Sequence, residues 1–167
     1  IEIITQLHAA HAAFWDNAIH VPNGNVSLNG KWSAAQNVAH ITMALSRLNN
    51  YLVLPKSSIE ANFGLSGRAS VSNEAFIKSY QHALANGAKA TAPFIPESNL
   101  DKNIQELVGQ GVAVLQEFIS HLQNWTEEEL ELYHCPHPLL GKITVREILY
   151  FTIYHVQHHH ETIKKMK

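Results

Sequence analysis

The residues most suited to chemistry lie near the C-terminus, where residues 154–163 read YHVQHHHETI. The spacing of four residues between His155 and His159 stacks two imidazoles on successive turns of a helix, where they can bind one ion. Neutral imidazole is a good ligand for zinc, nickel, copper or iron. On the same helix His158 points to nearly the opposite face and His160 to the other edge, so we expect these two to be surface residues, with an i, i+3 pair of His155 and His158 as the alternative.

A catalytic zinc-like site has three protein ligands and an open position, so a third ligand must come from another helix. His11, His40 and His121 each lie within a predicted helix. His40 projects away from the middle of its apolar stripe and His11 lies nearer the centre of its own, but the residues alone do not separate them. The alternative is that His155 and His159 are hydrogen-bonded histidines at a helix interface, without a metal.

The elements that must position these residues are predicted to be helices almost throughout. Apolar residues recur every three or four positions in the stretches 2–19, 33–54, 73–90, 99–123 and 145–165. Ser33 with Gln36, and Thr144 with Glu147, have the spacing of capping boxes and predict two helix starts. We interpret 55–72 as a Gly/Ser-rich crossover and HCPHPLLGK as a loop, and no stretch predicts a strand. The pattern favours an all-α four-helix bundle whose long second-to-third crossover contains an extra short helix.

Composition limits the class of protein. The chain has 167 residues, nearly half of them hydrophobic, and a net charge of −2, so we expect one domain over 1–167. No basic excess suggests nucleic-acid binding, and no apolar run is long enough to span a membrane. The first residues lack the pattern of a signal peptide. Cys135 is the single cysteine, which excludes an intrachain disulfide and is consistent with a cytoplasmic location.

Two stretches of the sequence resemble the DinB-like family of small metal-binding four-helix bundles. The closing pattern is HPLLGKITVREILYFTIYHVQHHHETI, residues 137–163, and the second-helix pattern is WSAAQNVAHI, residues 32–41. Carried over position by position, the resemblance implies a metal triad of His40, His155 and His159. Many family members have a basic residue directly after the last ligand, where this chain has His160.

The resemblance implies a divalent ion, zinc or nickel, and a small-molecule substrate. Some relatives look like metal-dependent transferases that use a low-molecular-weight thiol, and others like hydrolases. A hydrolase benefits from a carboxylate base, but Glu161 should point away from the triad and Glu147 is explained as a capping residue. This favours thiol activation by a metal-dependent transferase. A metal-dependent hydrolase and a non-catalytic metal-binding module are the alternatives.

Several other residues have two interpretations each. Phe151 and Tyr154 fall outside the main stripe of the last helix and could cover a second copy in a homodimer or pack on the first helix. Cys135 could be a reactive thiol or an ordinary packed residue. His137 could join His134 in a second metal site or simply belong to a proline-stiffened loop. Arg47 and Tyr51 could line a pocket above His40 or lie on the helix surface, and we interpret residues 46–52 as surface.

Overall fold

The computed structural model describes residues 2–27, 29–89, 92–98 and 100–166. Its elements in chain order are α1 (Glu2–Ile19), α2 (Ala34–Leu52), α3 (Lys56–Phe63), α4 (Asn73–Ala85), a 3-10 turn (Ala92–Phe94), α5 (Ile104–Leu122), α6 (Glu127–Leu132), β1 (His134–His137), β2 (Gly141–Thr144) and α7 (Val145–Lys164). The all-α prediction is confirmed. Residues 90 and 99, at the ends of two predicted helices, lie outside the described residues.

The four long helices α1, α2, α5 and α7 form a bundle around one core. α1 packs along α7 and α5, while α2 packs along α5 and α7. Gly111 lets α5 approach closely, because a Cβ there would lie 2.8 Å from the Trp15 ring and 2.9 Å from Thr42 Oγ1. The core is built from side chains that are almost fully buried: Leu7, Phe14, Ile41, Leu45, Phe118, Leu122, Leu149 and Ile163.

Both predicted capping boxes are present and set the start of the two helices that carry the clustered histidines. The Ser33 hydroxyl accepts the Gln36 amide N–H while the Gln36 side chain accepts the Ser33 N–H. Thr144 and Glu147 make the same reciprocal pair at the start of α7. These caps satisfy amide groups that have no partner within the helix, so they fix where each helix begins.

The crossover between α2 and α5 is more ordered than the sequence predicts. The extra helix predicted over 73–90 is α4, which ends at Ala85 and packs on α7. The Gly/Ser-rich crossover over 55–72 also contains a helix that the sequence did not predict, α3 over 56–63, which forms around buried Ile59. α3 has only eight residues, too few for apolar periodicity to reveal it.

The prediction that HCPHPLLGK is a loop without strands is wrong. β1 and β2 form an antiparallel hairpin in which His134 pairs with Thr144 and His137 with Gly141. In a two-stranded ribbon half of the N–H groups face away from the partner, so Pro136 fits within β1. Gly141 has a φ of +71°, a conformation that glycine adopts readily. Among the described residues, none of the helices has the length and apolar character needed to cross a bilayer.

Candidate metal centre

Three histidines from two helices converge inside the bundle. α2 carries His40, and α7 carries His155 and His159 one turn apart. One ligand atom from each side chain can be chosen so that all three lie within 4.8 Å of one another. The Nε2 atoms of His40 and His155 are 2.9 Å apart. The structure therefore brings together the three residues that the resemblance selected, and this group could hold a metal ion.

Hydrogen bonds fix the tautomer of two of these rings. His40 Nδ1 contacts the Phe94 carbonyl oxygen, which can only accept, so the proton lies on Nδ1. His159 Nδ1 lies 2.6 Å from Asn37 Oδ1, and the Asn37 amide nitrogen donates to the Ser33 carbonyl at 2.8 Å. That second bond orients the Asn37 amide, so its oxygen accepts from His159. Both rings therefore present an Nε2 lone pair, the form that binds metal.

The third ring, that of His155, is packed against an aromatic side chain and lies close to the His40 lone pair. His155 stacks on Phe151, with ring centroids 4.9 Å apart and an interplanar angle of 17°. Since His40 Nε2 carries a lone pair, a proton or a cation must lie between it and His155 Nε2. In the metal-free state His155 supplies that proton, and a divalent ion would replace it. The donor set thus fits a divalent ion.

Burial keeps the triad uncharged at neutral pH. Burial lowers the pKa of His40, and it lowers the pKa of His159 to about 3, with neighbouring imidazoles adding to the effect. The pKa of His155 lies well below its ordinary value, first because of burial and then because of the imidazoles around it. Neutral imidazole is the ligating state, so no ring has to lose a positive charge, and only the proton on His155 Nε2 has to move before an ion binds. Zinc and nickel both suit three imidazoles.

A cavity of about 420 Å³ adjoins the triad. Its walls are mainly apolar and aromatic, and they include Trp32, Leu45, Leu48, Tyr80, Phe94 and Phe151. Arg47 and Lys89 supply positive charge, while the described residues that line the cavity include no carboxylate.

The other candidate ligands fall outside this group. His11 is buried on α1 and lines the cavity, but it does not belong to the triad. His121 lies on α5, where its Nδ1 contacts Asn49 Oδ1 at 2.6 Å. His158 is exposed, as predicted. His160 is half-buried instead, and its ring meets Phe14 edge-on with centroids 6.5 Å apart.

The structure locates the residues for which the sequence left two interpretations. Arg47 and Tyr51 line the cavity, and the prediction of a surface segment over 46–52 is wrong because Leu48, Asn49, Tyr51 and Leu52 are buried. Cys135 belongs to the cavity wall but is only 3% exposed, and burial raises the pKa of its thiol to about 12, which favours the packed residue over the reactive thiol. His137 Nδ1 accepts the backbone N–H groups of Leu139 and Leu140, both at 3.1 Å, within the hairpin turn.

Some residues around the triad were not predicted. Asn37 lies one helical turn before His40, and a polar residue at that spacing was a usable signal. Trp32 stacks over His159, with centroids 6.2 Å apart and an interplanar angle of 16°. Phe94 comes from the crossover, where no local pattern points to the triad. Phe151 and Tyr154 both contact the Tyr80 ring of α4, with ring centroids 5.1 Å and 5.8 Å apart respectively. This third neighbour was not among the two that the sequence suggested, the first helix and a second copy.

Comparison with known proteins agrees with this architecture. A search of the curated proteins and a search of the solved structures each found no match. A sequence model of the DinB superfamily matches residues 5–163. This range includes all of α2 and α5, α1 without its first three residues, and α7 without its last residue. The chain therefore belongs to the DinB superfamily.

Proposed function

We propose that this protein is a metal-dependent transferase in which His40, His155 and His159 hold one divalent ion, zinc or nickel. The co-substrate is a low-molecular-weight thiol, and the second substrate is a small molecule with an electrophilic carbon. The observation that carries this proposal is a triad of neutral imidazoles beside a largely apolar cavity whose described lining has no carboxylate. A homodimer and a cytoplasmic location remain predictions.

The chemistry follows from the ligand charge. Three neutral ligands would leave a divalent ion held by His40, His155 and His159 its full positive charge, which would lower the pKa of a thiol or water bound to it. The thiol then loses its proton to solvent, its sulfur forms a C–S bond with the electrophilic carbon, and the leaving group departs with the electrons of the broken bond. The apolar walls would pack against the organic parts of both substrates, and Arg47 and Lys89 would favour an anionic group on either substrate.

The two alternatives have less support. A hydrolase would use the same ion to activate water, but no carboxylate base belongs to the described cavity lining. A purely structural ion is usually closed off by four protein ligands, whereas this triad adjoins a cavity of about 420 Å³. Both features favour thiol transfer over these alternatives.

The test is conjugation of thiols to 1-chloro-2,4-dinitrobenzene by protein stripped of metal and reloaded with zinc or nickel. Cysteine, N-acetylcysteine and glutathione serve as thiol probes, and chloride release is measured with arylated thiol. We expect turnover that requires metal and is lost in His155→Ala, whereas His20→Ala, at an exposed histidine outside the described cavity lining, retains it. Metal-independent turnover, or ester hydrolysis with no thiol conjugation, would contradict the transferase proposal.

A further inference from the structure

His11 is a cavity residue that the metal triad does not use. It lies on α1 with only 1% of its surface exposed. Its Nδ1 is 2.8 Å from the carbonyl oxygen of Leu7, one helical turn earlier. A carbonyl oxygen can only accept, so Nδ1 carries the proton and Nε2 carries a lone pair. Burial lowers the pKa of His11 to about 4, so the ring stays neutral near pH 7.

The lone pair on His11 Nε2 has no hydrogen-bond partner among the described residues, although the atom is buried. Buried polar atoms almost always have partners, so an exception calls for an explanation. Because Nδ1 faces the backbone of α1 itself, the Nε2 edge of the ring points away from that helix. His11 lines the same cavity as the triad, and it is close enough to His155 to act on it electrostatically.

Packing alone does not account for a histidine here. The Leu7 carbonyl already accepts the His11 backbone N–H within α1, so the imidazole bond is additional. The ring's one aromatic neighbour on α1 is Trp15, with centroids 6.0 Å apart. A phenylalanine would make the same apolar contacts and leave no buried lone pair without a partner. The imidazole is therefore better explained by a molecule that enters the cavity.

We propose that His11 Nε2 is the hydrogen-bond acceptor for a ligand in this cavity, so that the cavity selects molecules with an O–H, N–H or S–H donor on the side facing α1. The inference rests on the proposed function only in taking this cavity as the substrate site. Its test needs neither metal nor turnover. The His11 proposal can therefore fail while thiol transfer is confirmed, and it can be confirmed while thiol transfer fails.

The experiment compares two probes of nearly the same shape in the metal-free protein. Benzyl alcohol has a donor hydrogen and benzyl methyl ether does not. In wild type we expect the alcohol to bind roughly 2-fold to 10-fold more tightly than the ether, the range of one net hydrogen bond. His11→Phe removes the acceptor and should abolish this ratio, whereas His11→Gln keeps an acceptor oxygen and should retain part of it. His20→Phe is the control, because His20 is exposed, lies outside the described cavity lining, and contacts a carbonyl oxygen one turn earlier through Nδ1 as His11 does.

A second measurement on wild type keeps the test independent of how the variants fold. The ¹⁵N chemical shift of His11 Nε2 should move when the alcohol saturates the cavity and stay in place with the ether. An unchanged Nε2 shift with saturating alcohol would overturn the proposal, and so would equal ratios in wild type and His11→Phe. Failure of both probes to bind would count against it as well, because the cavity would then admit no such ligand.

Discussion

Replacing Asn37 by alanine should weaken metal binding without removing a ligand. Asn37 Oδ1 accepts the Nδ1–H of His159 at 2.6 Å and thereby presents Nε2 to the triad. In Asn37→Ala that buried N–H loses its partner, and the ring is no longer held in one orientation and one tautomer. Loss of such an outer partner typically lowers metal affinity about 10-fold to 100-fold, which is about 1.4–2.7 kcal/mol.

The same helix offers a matched control. Asn49 is also on α2 and also mostly buried, and its Oδ1 contacts Nδ1 of His121 at 2.6 Å. Asn49→Ala therefore removes the same chemical interaction outside the triad. Each substitution should lower the free energy of unfolding of the metal-free protein by about 1–2 kcal/mol. Only Asn37→Ala should change the affinity for metal.

The assay is competition for zinc between the protein and a chromophoric chelator at pH 7, with urea unfolding of the metal-free proteins in parallel. Equal dissociation constants for Asn37→Ala and wild type would refute the argument that this amide orients a ligand. Equal weakening by Asn37→Ala and Asn49→Ala would mean that general loosening of α2 explains the effect.

Three further predictions concern stability. Glu147→Ala should lower the free energy of unfolding by about 3 kcal/mol, since this fully buried carboxylate accepts two bonds from Arg68 and two from backbone N–H groups. Arg68→Ala leaves this buried carboxylate with only its two backbone N–H partners, so it should also cost about 3 kcal/mol, and a cost below about 1 kcal/mol for either variant in urea unfolding would contradict this. Gly111→Ala should cost about 1–3 kcal/mol by pressing on the Trp15 ring, and an unchanged thermal midpoint would contradict it. Burial lowers the pKa of His137 to about 4, so between pH 6.5 and 4 the unfolded chain binds more protons and the free energy of unfolding decreases as the pH is lowered. The contribution is at most about 3 kcal/mol, and urea unfolding at pH 7 and 4.5 should show a smaller pH dependence in His137→Phe.

The bundle helices could be predicted because local patterns determine them. Apolar residues every three or four positions reveal a helix of 18 residues, and the Ser33 and Thr144 capping boxes mark two starts. Once α7 begins at Val145, helical geometry alone places His155 and His159 on one side of it. The pair could therefore be predicted from the sequence without knowing any contact between helices.

The third member of the triad could not be read in the same way. His11 and His40 both face the interior, and which one meets His155 depends on how far α1 and α2 are shifted along α7. That shift is a property of packing between distant helices, and no local pattern in the sequence contains it. The family resemblance selected His40, and the structure brings His40 into the group while His11 stays in the cavity wall.

The crossover was the least predictable segment, yet it supplies the partner that orients His40. The Phe94 carbonyl accepts the His40 Nδ1–H. Arg47 lies over the Phe94 ring, 5.0 Å from its centroid, and donates to the Pro93 carbonyl at 3.3 Å. One exposed arginine on α2 thus holds the turn whose backbone fixes the tautomer of a ligand seven residues earlier. The sequence left two places for Arg47, either beside a pocket above His40 or on the helix surface.

The crossover reaches a second histidine through aromatic packing. Tyr80 of α4 meets Phe151 edge-on at 5.1 Å, and Phe151 stacks on His155 at 4.9 Å. Two of the three converging rings are therefore held from segments that lie outside the four-helix bundle. Because the bundle sets where the rings meet and the crossover sets how they are oriented, substitutions at Tyr80 or around Phe94 should alter metal affinity while the bundle stays folded. A substitution in α5, which contributes no residue to the triad, should instead lower the stability of the bundle and leave the metal affinity of the folded protein unchanged.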